Sequence, residues 1–335
     1  MSLRRIIQTL SLMIFLVALF FSTCTFVVEA NPDLFLRLDP LLVFGTALSG
    51  KVFSLAFLPA VIVLILVPLM GRVFCGYICP MGTTIDFSDR YLRGNKKGKT
   101  YFPGLKKLKY YLLLFIMGSG VLGVSFVFTA SPISLITRFY GLVIYPVLTF
   151  LVEMGLVIIK PVAERLNIYS LVFAEMPATR FSTQIFILLF FVVVFAAIKI
   201  SPRFWCRYCC PSGALMAVFS RKPFIRRSVS DRCTDCGKCI RSCPMNAIGD
   251  DPGITEYKEC IVCRTCEDVC PVNAVSFEGS LKGEKTDKDI SPSRRGFLFA
   301  GFAGMGTAAM SLTGLNSLYG RPGVGQVAVP GLVRP

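Results

Sequence analysis

Residues 233–244 read CTDCGKCIRSCP, and residues 260–271 read CIVCRTCEDVCP. Both are C-x2-C-x2-C-x3-C-P, the spacing of bacterial two-cluster ferredoxins. In that pattern three close thiolates wrap one cubane and the fourth reaches across to the other. Cluster one then takes Cys233, Cys236, Cys239 and Cys270, and cluster two takes Cys260, Cys263, Cys266 and Cys243. Zinc knuckles also use C-x2-C, but they rarely combine a third C-x2-C step, a trailing Cys-Pro and a tandem copy. Thiols this dense suit metal better than disulfides. Residues 229–280 are therefore expected to form a small α+β domain with two [4Fe–4S] clusters, which moves electrons one at a time.

Outward from that domain the chain turns apolar. It is 54% hydrophobic with mean hydropathy +0.64, above the usual soluble range. Four windows approach the roughly 20 apolar residues of a bilayer crossing: Ile6–Val28, Val52–Met70, Tyr110–Phe128 and Gln184–Ile200. Arg4 and Arg5 precede the first, which sets the N-terminus in the cytoplasm by the positive-inside rule. Span two returns to a basic loop with Arg90, Arg93, Lys96, Lys97, Lys99, Lys106, Lys107 and Lys109. Arg203, Arg207, Arg221, Lys222, Arg226, Arg227 and Arg232 follow span four. The net charge of +16 is then largely topological, and no nucleic-acid motif accompanies the basic runs. Gly141–Ile159 is also apolar, but Pro146 and Glu153 interrupt it, and a crossing there would spoil the parity of spans. Residues 131–183 are accordingly expected on the outer face, with Gly141–Ile159 as an interfacial or dipping helix.

The remaining cysteines reveal a repeat. Residues 72–83 read RVFCGYICPMGT and residues 203–214 read RFWCRYCCPSGA, 131 positions on. They align without a gap as R-x-[FW]-C-x-Y-x-C-P-x-G. Asp39-Pro40 resembles Ser131-Pro132, 92 positions on, which makes the second copy 39 residues longer. Two hairpins of one orientation imply a pseudo-two-fold axis along the membrane normal, with both C-x3-C-P motifs facing each other. Cys75, Cys79, Cys206 and Cys210 then supply four thiolates for a third cluster at the membrane boundary. A three-residue gap keeps each pair on one face of a turn, and the following Pro and Gly are expected to break that turn. Two separate thiol pairs, as redox dithiols or copper or zinc sites, is the competing reading. Cys24 and Cys209 are read as structural.

The domains expected are a first hairpin (1–90), a basic cytoplasmic loop (91–109), a second hairpin (110–222) with its outer insertion (131–183), the ferredoxin domain (229–280), a charged linker (281–292), an apolar segment (293–316) and a tail (317–335). The fold class is a mainly α membrane protein of four spans with a fifth at the C-terminus, plus the ferredoxin domain. It is placed in a bacterial inner membrane, with the N-terminus and ferredoxin domain cytoplasmic and the C-terminus periplasmic.

With FCGYICP, FWCRYCCP and the tandem ferredoxin in one chain, residues 1–280 resemble the membrane polyferredoxins typified by the NapH-type quinol dehydrogenase subunit. Related C-x3-C-P proteins include the NosR type and factors of cytochrome oxidase assembly. The resemblance implies electron transfer between quinol and a respiratory redox partner, such as a periplasmic ferredoxin-like or multihaem subunit. It carries over to Cys75, Cys79, Cys206, Cys210 and the eight ferredoxin cysteines. Ser293-Arg294-Arg295-Gly296-Phe297-Leu298 looks like a twin-arginine export motif, with Arg294 and Arg295 at its centre; a chance Arg-Arg before a membrane anchor is the alternative. The tail Val329–Pro335 looks like the entry to a NapG-type subunit.

The chain has no histidine, so it offers no His-ligated haem and no His contact to a quinone. Arg138, Tyr140, Tyr145, Glu153 and Lys199 are the polar candidates for a quinone site. No NAD or flavin fingerprint is present. The reading is a quinol-linked electron-transfer subunit, with the catalytic residues and the direction of flow open. The alternative is an assembly or redox-regulatory factor for a respiratory metalloenzyme, using the C-x3-C-P thiols directly.

Overall fold

Pro and capping residues begin most of the helices in a computed structural model that describes residues 3–23, 34–51, 55–93, 102, 104–165, 183–279 and 293–312. Helix α1 (Leu3–Thr23) is apolar around most of its girth, with Ile6, Leu10, Ile14, Val17 and Phe21 outward; such a surface suits lipid. Pro40 opens α2 (Pro40–Gly50), capped by the Asp39 side chain. Helix α3 (Leu58–Met70) leads through a π turn at Phe74–Ile78 into α4 (Pro80–Arg93). Helix α5 (Leu108–Val121) follows. Helix α6 runs from Pro132 to Arg165, α-helical over Pro132–Phe139 and Tyr145–Arg165 with a π turn at Tyr140–Ile144 between them. Helix α7 (Gln184–Ile198) leads through a second π turn, Trp205–Cys209, into α8 (Pro211–Phe219).

The soluble part is a two-stranded antiparallel sheet, β1 (Ile225–Val229) with β2 (Val275–Gly279), in which Ile225 pairs with Gly279 and Val229 with Val275. Between the strands lie α9 (Lys238–Ser242) and α10 (Thr265–Asp268). The last helix, α11 (Arg294–Leu312), packs along α5. Gly118 lies against the Gly301 carbonyl, and Gly304 against Phe115, the close backbone approach that small residues permit in membrane helix pairs.

Two helical stretches are long and apolar enough to cross a bilayer among the described residues, Leu3–Phe21 and Pro132–Leu156. The first matches an expected span. The second takes in much of Gly141–Ile159, where one expectation is corrected: Pro146 and Glu153 do not interrupt the helix, because Pro146 falls near the start of a new α segment after the π turn, where its missing N–H costs little, and Glu153 stays exposed. The described parts of Val52–Met70, Tyr110–Phe128 and Gln184–Ile200 form helices of 13, 14 and 15 residues, about 20 Å long at 1.5 Å per residue.

A second correction concerns the outer loops. The Asp39 carboxylate accepts hydrogen bonds from Ser131 Oγ at 2.6 Å and from Ser212 Oγ at 2.7 Å. Ser212 lies two residues past Cys210, so Asp39 and Ser131 sit beside the cysteine motif rather than across the membrane from it. Irregular backbone at such depth is tolerated where protein satisfies it. Asp39 is fully buried, caps α2 through Leu41 N–H, and ties the two repeat-related helix starts together.

Cys24, Lys96, Lys97, Lys99, the charged linker 281–292, residues 166–182 of the outer insertion, and the tail 317–335 lie outside the described residues.

Candidate iron–sulfur sites

The two ferredoxin motifs share one backbone path. Left-handed φ values fall at Asp235, Gly237 and Asn246, and 27 positions on at Val262, Arg264 and Asn273, the same interval that separates Cys233 from Cys260. Only one of the six is glycine, and non-glycine residues occupy this region at a cost of about 1–3 kcal/mol each. Such turns aim successive N–H groups at a common centre, as anion-binding nests do. Ala247 N–H donates to Cys243 Sγ at 3.3 Å, and Ala274 N–H donates to Cys270 Sγ at 3.2 Å. One cavity is lined by Cys243, Cys260, Cys263 and Cys266, and another by Cys233, Cys236, Cys239 and Cys270. This is the crossed grouping expected from spacing. These residues fit [4Fe–4S] cubanes: sulfur-lined hollows ringed by inward amides. Burial pushes the Cys266 thiol up to about 12, against the pull of Arg227; iron ligation is what would hold such sulfurs as thiolates.

Arg227 lines both cavities. Its guanidinium donates to the Pro252 carbonyl at 2.5 Å and Thr255 Oγ1 at 3.1 Å, and it is 1% exposed.

The two C-x3-C-P motifs meet. Each enters through its π turn, which ends at the second Cys in extended backbone, and the Pro after it starts a new helix, as suits Pro at the first helical position. The cysteine before it acts as cap: Gly213 N–H donates to Cys210 Sγ at 3.3 Å, and Gly82 N–H plays the same part for Cys79. Burial raises Cys79, Cys206 and Cys210, Cys206 to about 11, and each also feels thiols of the other motif: Cys79 feels Cys206, Cys206 feels Cys75, and Cys210 feels Cys75 and Cys79. Cys75 Sγ touches Met216 Sδ, on the helix that follows the second motif, at 3.4 Å. Burial alone raises Cys209, so it stands apart from this quartet. Among the described residues no three such groups close tightly enough to hold a single metal ion; a cubane asks for a wider-set quartet than one ion does.

The repeat arginines are exchanged between motifs. Arg203 of the second motif binds Asp86, on the helix that follows the first motif, at 2.5 Å and reaches the Cys75 carbonyl at 3.4 Å. Arg72 of the first motif lies over Gly213 of the second, where an added Cβ would stand 2.7 Å from its Nη2. Asp86 also binds Arg4 at 2.6 Å and Gln8 at 2.8 Å, which fixes α1 to α4. Helices α2, α4, α6 and α8 begin around Asp39, Ser131, Cys79 and Cys210, so their positive dipole ends gather where an anionic cluster would sit.

The ferredoxin domain docks on this quartet through its second motif. Gly76 is pressed against the Ile261 carbonyl, which an added Cβ would meet at 2.6 Å. Tyr77 Oη donates to the Val262 carbonyl at 3.0 Å, and Arg72 donates to the Lys258 carbonyl at 2.9 Å. Glu259 is buried between Lys109 and Arg72, and Lys106 binds Glu256 at 2.5 Å. Cys75 packs against the apolar cores of both the helical body and the ferredoxin domain. The cavity lined by Cys260, Cys263, Cys266 and Cys243 therefore belongs to the motif that meets the quartet, while Cys236 of the other cavity is exposed.

Lys106, Lys109, Arg203, Arg207 and Arg227 were expected to be topological charges. All five are at most 2% exposed. The signal for Arg203 was present in the sequence, since the repeat places it opposite Arg72. Asp86, Glu259 and Arg227 left no such mark. Tyr140 and Tyr145 line a cavity described below, Arg138 is half-buried, and Glu153 and Lys199 are exposed.

Comparison with known proteins agrees with this geometry. A 4Fe–4S binding domain model matches residues 51–100 and 183–230, ranges that contain Cys75, Cys79, Cys206 and Cys210. Two further 4Fe–4S binding domain models match residues 227–248 and 255–276. The fold and its sites define an iron–sulfur, ferredoxin-type electron-transfer protein. More particularly, the chain is similar to the ferredoxin-type proteins NapH and MauN. It is 26% identical over 188 residues to the ferredoxin-type protein NapH of Haemophilus influenzae, covering 55% of this chain and 52% of the relative. It is 26% identical over 215 residues to the methylamine utilization ferredoxin-type protein MauN of Paracoccus denitrificans, covering 62% and 60%. An uncharacterized protein of Methanocaldococcus jannaschii is 27% identical over 205 residues, covering 60% and 69%. The chain thus spans little more than half the length of the named relatives. No solved structure matches it.

Proposed function

We propose that this chain is a membrane-bound subunit that moves electrons between the quinone pool and a respiratory redox partner, through a third cluster held by Cys75, Cys79, Cys206 and Cys210. The observation that carries the reading is the docking of the Cys260 motif on the Cys75 motif. It gives a linear order: quartet at the membrane boundary, then cluster two, then cluster one at an exposed surface. When bound, the clusters would supply one-electron steps: a quinol gives up its two electrons to such centres one at a time, and its two protons pass to water. The protein supplies the remainder. Arg72 and Arg203 set positive charge beside the quartet, four helix starts add their dipoles, and Met216 and the apolar core exclude water. A soluble redox subunit is the partner this order calls for at Cys236. The bilayer is that of a bacterial inner membrane, with the ferredoxin domain on the cytoplasmic side. Arg294–Leu312, the expected fifth span, is not among the stretches apolar enough to cross by composition, and its close packing on α5 supports a helix held by the body over a detachable export signal at Arg294 and Arg295.

The test is EPR with iron quantitation on the anaerobically purified, detergent-solubilised protein. About twelve irons per chain are expected from three cubanes, falling by about four in Cys75→Ser with the ferredoxin signals retained. Menaquinol should reduce a fraction of the clusters. Eight irons in both proteins would remove the third cluster. Clusters reduced by dithionite but left oxidised by menaquinol would move the reading to a cytoplasmic donor or to a maturation role.

A further inference from the structure

A cavity of about 320 Å³ opens between α1 and the π turn of α6, within the size range of small-molecule sites. Leu16, Val17, Phe20 and Phe21 form one wall; Tyr140, Gly141, Ile144 and Tyr145 contribute the other. Val17, Phe20 and Phe21 are about half exposed, so on the expected topology the mouth faces lipid. A π turn widens a helix by one residue and often marks a functional site. Here it leaves open space at Gly141, where an added Cβ would meet nothing within 4 Å.

The cavity is apolar except for its phenols, and one phenol points toward the cysteines. Tyr140 Oη lies 3.1 Å from Thr84 Oγ1. Thr84 donates its single proton to the Pro80 carbonyl at 2.9 Å, and Pro80 follows Cys79. With the Thr84 proton on Pro80, Tyr140 is the donor to Thr84, and its oxygen keeps lone pairs free to accept. Tyr140 also packs in the same apolar core as Cys75, Cys79 and Cys206. A lipid-facing slot with aromatic walls, one hydrogen-bond acceptor and a redox-active thiol quartet behind it fits a ligand that is planar, lipophilic, able to donate an O–H and able to exchange electrons.

We infer that this cavity binds the hydroquinone ring of a membrane quinol, with a ring hydroxyl donating to Tyr140 Oη. The inference rests on the quinone-linked reading above and adds its site. An acyl chain of a lipid would use the apolar walls but not the phenol.

The test is photolabelling of the full-length protein in nanodiscs with an azido-substituted, decyl-tailed benzoquinol, mapped by mass spectrometry. Label is expected on peptides carrying residues 16–21 and 140–148, displaced by unlabelled decylbenzoquinol and not by oleate. Gly141→Trp, which fills the slot, should cut that labelling at least about tenfold, and Ile144→Phe serves if the larger residue lowers the yield of folded protein. Tyr140→Phe should weaken displacement by decylbenzoquinol about 3- to 10-fold, the worth of one hydrogen bond. Saturable labelling elsewhere, untouched by Gly141→Trp, would overturn the site and leave the quinone-linked reading standing. Displacement by oleate as effective as by decylbenzoquinol would make the cavity a lipid site and overturn the inference. Absence of any saturable labelling would overturn both.

Discussion

Arg227 is the residue whose placement most changes the reading of the ferredoxin domain. Its sequence neighbours are basic and it looked like one more topological charge, yet it stands buried between two sulfur-lined cavities. A cation there stabilises added electrons on either side, and cluster potentials follow local charge and hydrogen bonds to sulfur. Arg227→Met, which keeps much of the volume, should lower the cluster-two midpoint potential by roughly tens of millivolts in a redox titration followed by EPR. An unchanged potential would reduce Arg227 to a structural tie. Gly213 makes the same point sterically. Its missing Cβ is what admits the Arg72 guanidinium from the opposite motif, so its presence in the repeat reflects a contact between copies.

At the scale of elements, buried ion pairs join pieces that hydrophobic packing alone would let slide. Asp86 fastens α1 to α4 and to the second motif through Arg4, Gln8 and Arg203. Burial by itself would raise its carboxyl, but Arg203 and Arg4 outweigh that and hold it below the usual range. A depressed carboxyl contributes in full above its unfolded value, about 3.9, and loses that contribution as pH falls through its folded value. Asp86→Asn should therefore cost about 3 kcal/mol at pH 7, since it leaves Arg203 buried and uncompensated. The deficit should persist to about pH 5 and shrink below about pH 4 in thermal unfolding of mutant against wild type. A deficit that grows toward acid would contradict the sign. Glu259 does the corresponding work at the ferredoxin dock, between Lys109 and Arg72. Glu259→Gln strands two buried cations; it should lower stability by about 3–5 kcal/mol and speed proteolysis after residue 220 with the ferredoxin EPR signals intact. Equal proteolysis of the two proteins would mean that the apolar contacts at Gly76 and Tyr77 hold the dock alone.

For the whole molecule, the quartet is the junction. Helical body and ferredoxin domain share Cys75, and the two membrane repeats share Asp39, Ser131 and Ser212. A body built this way places the exposed Arg232 and Lys238 on the side to which the C-x3-C-P motifs return. Trypsin should release ferredoxin fragments from inverted membrane vesicles and not from intact spheroplasts. Release from spheroplasts alone would invert the proposed orientation.

Much of the site was legible in the linear order of residues because cluster ligands are local. The 27-residue interval of cysteines and left-handed turns, and the 131-residue interval of FCGYICP and FWCRYCCP, are visible without a fold, since each motif must wrap its own sulfurs within a dozen residues. Burial was not legible. Lys106, Lys109 and Arg203 look in sequence like exposed positive charge, because a lysine or arginine carries no local mark of the carboxylate it will meet 100 or more residues away. The continuity of the helix past Pro146 was not legible either, since a π turn before it lets Pro146 fall near the start of a fresh α segment. The sequence by itself determined the iron–sulfur class, the cysteine motifs and the repeat. Only the tertiary structure decided that the two C-x3-C-P motifs meet, that the Cys260 motif is the domain's inner end, and that Arg203, Lys106 and Lys109 are buried partners of Asp86, Glu256 and Glu259. Those outcomes depend on long-range pairing of desolvated charges, whose cost is met only when every partner arrives together.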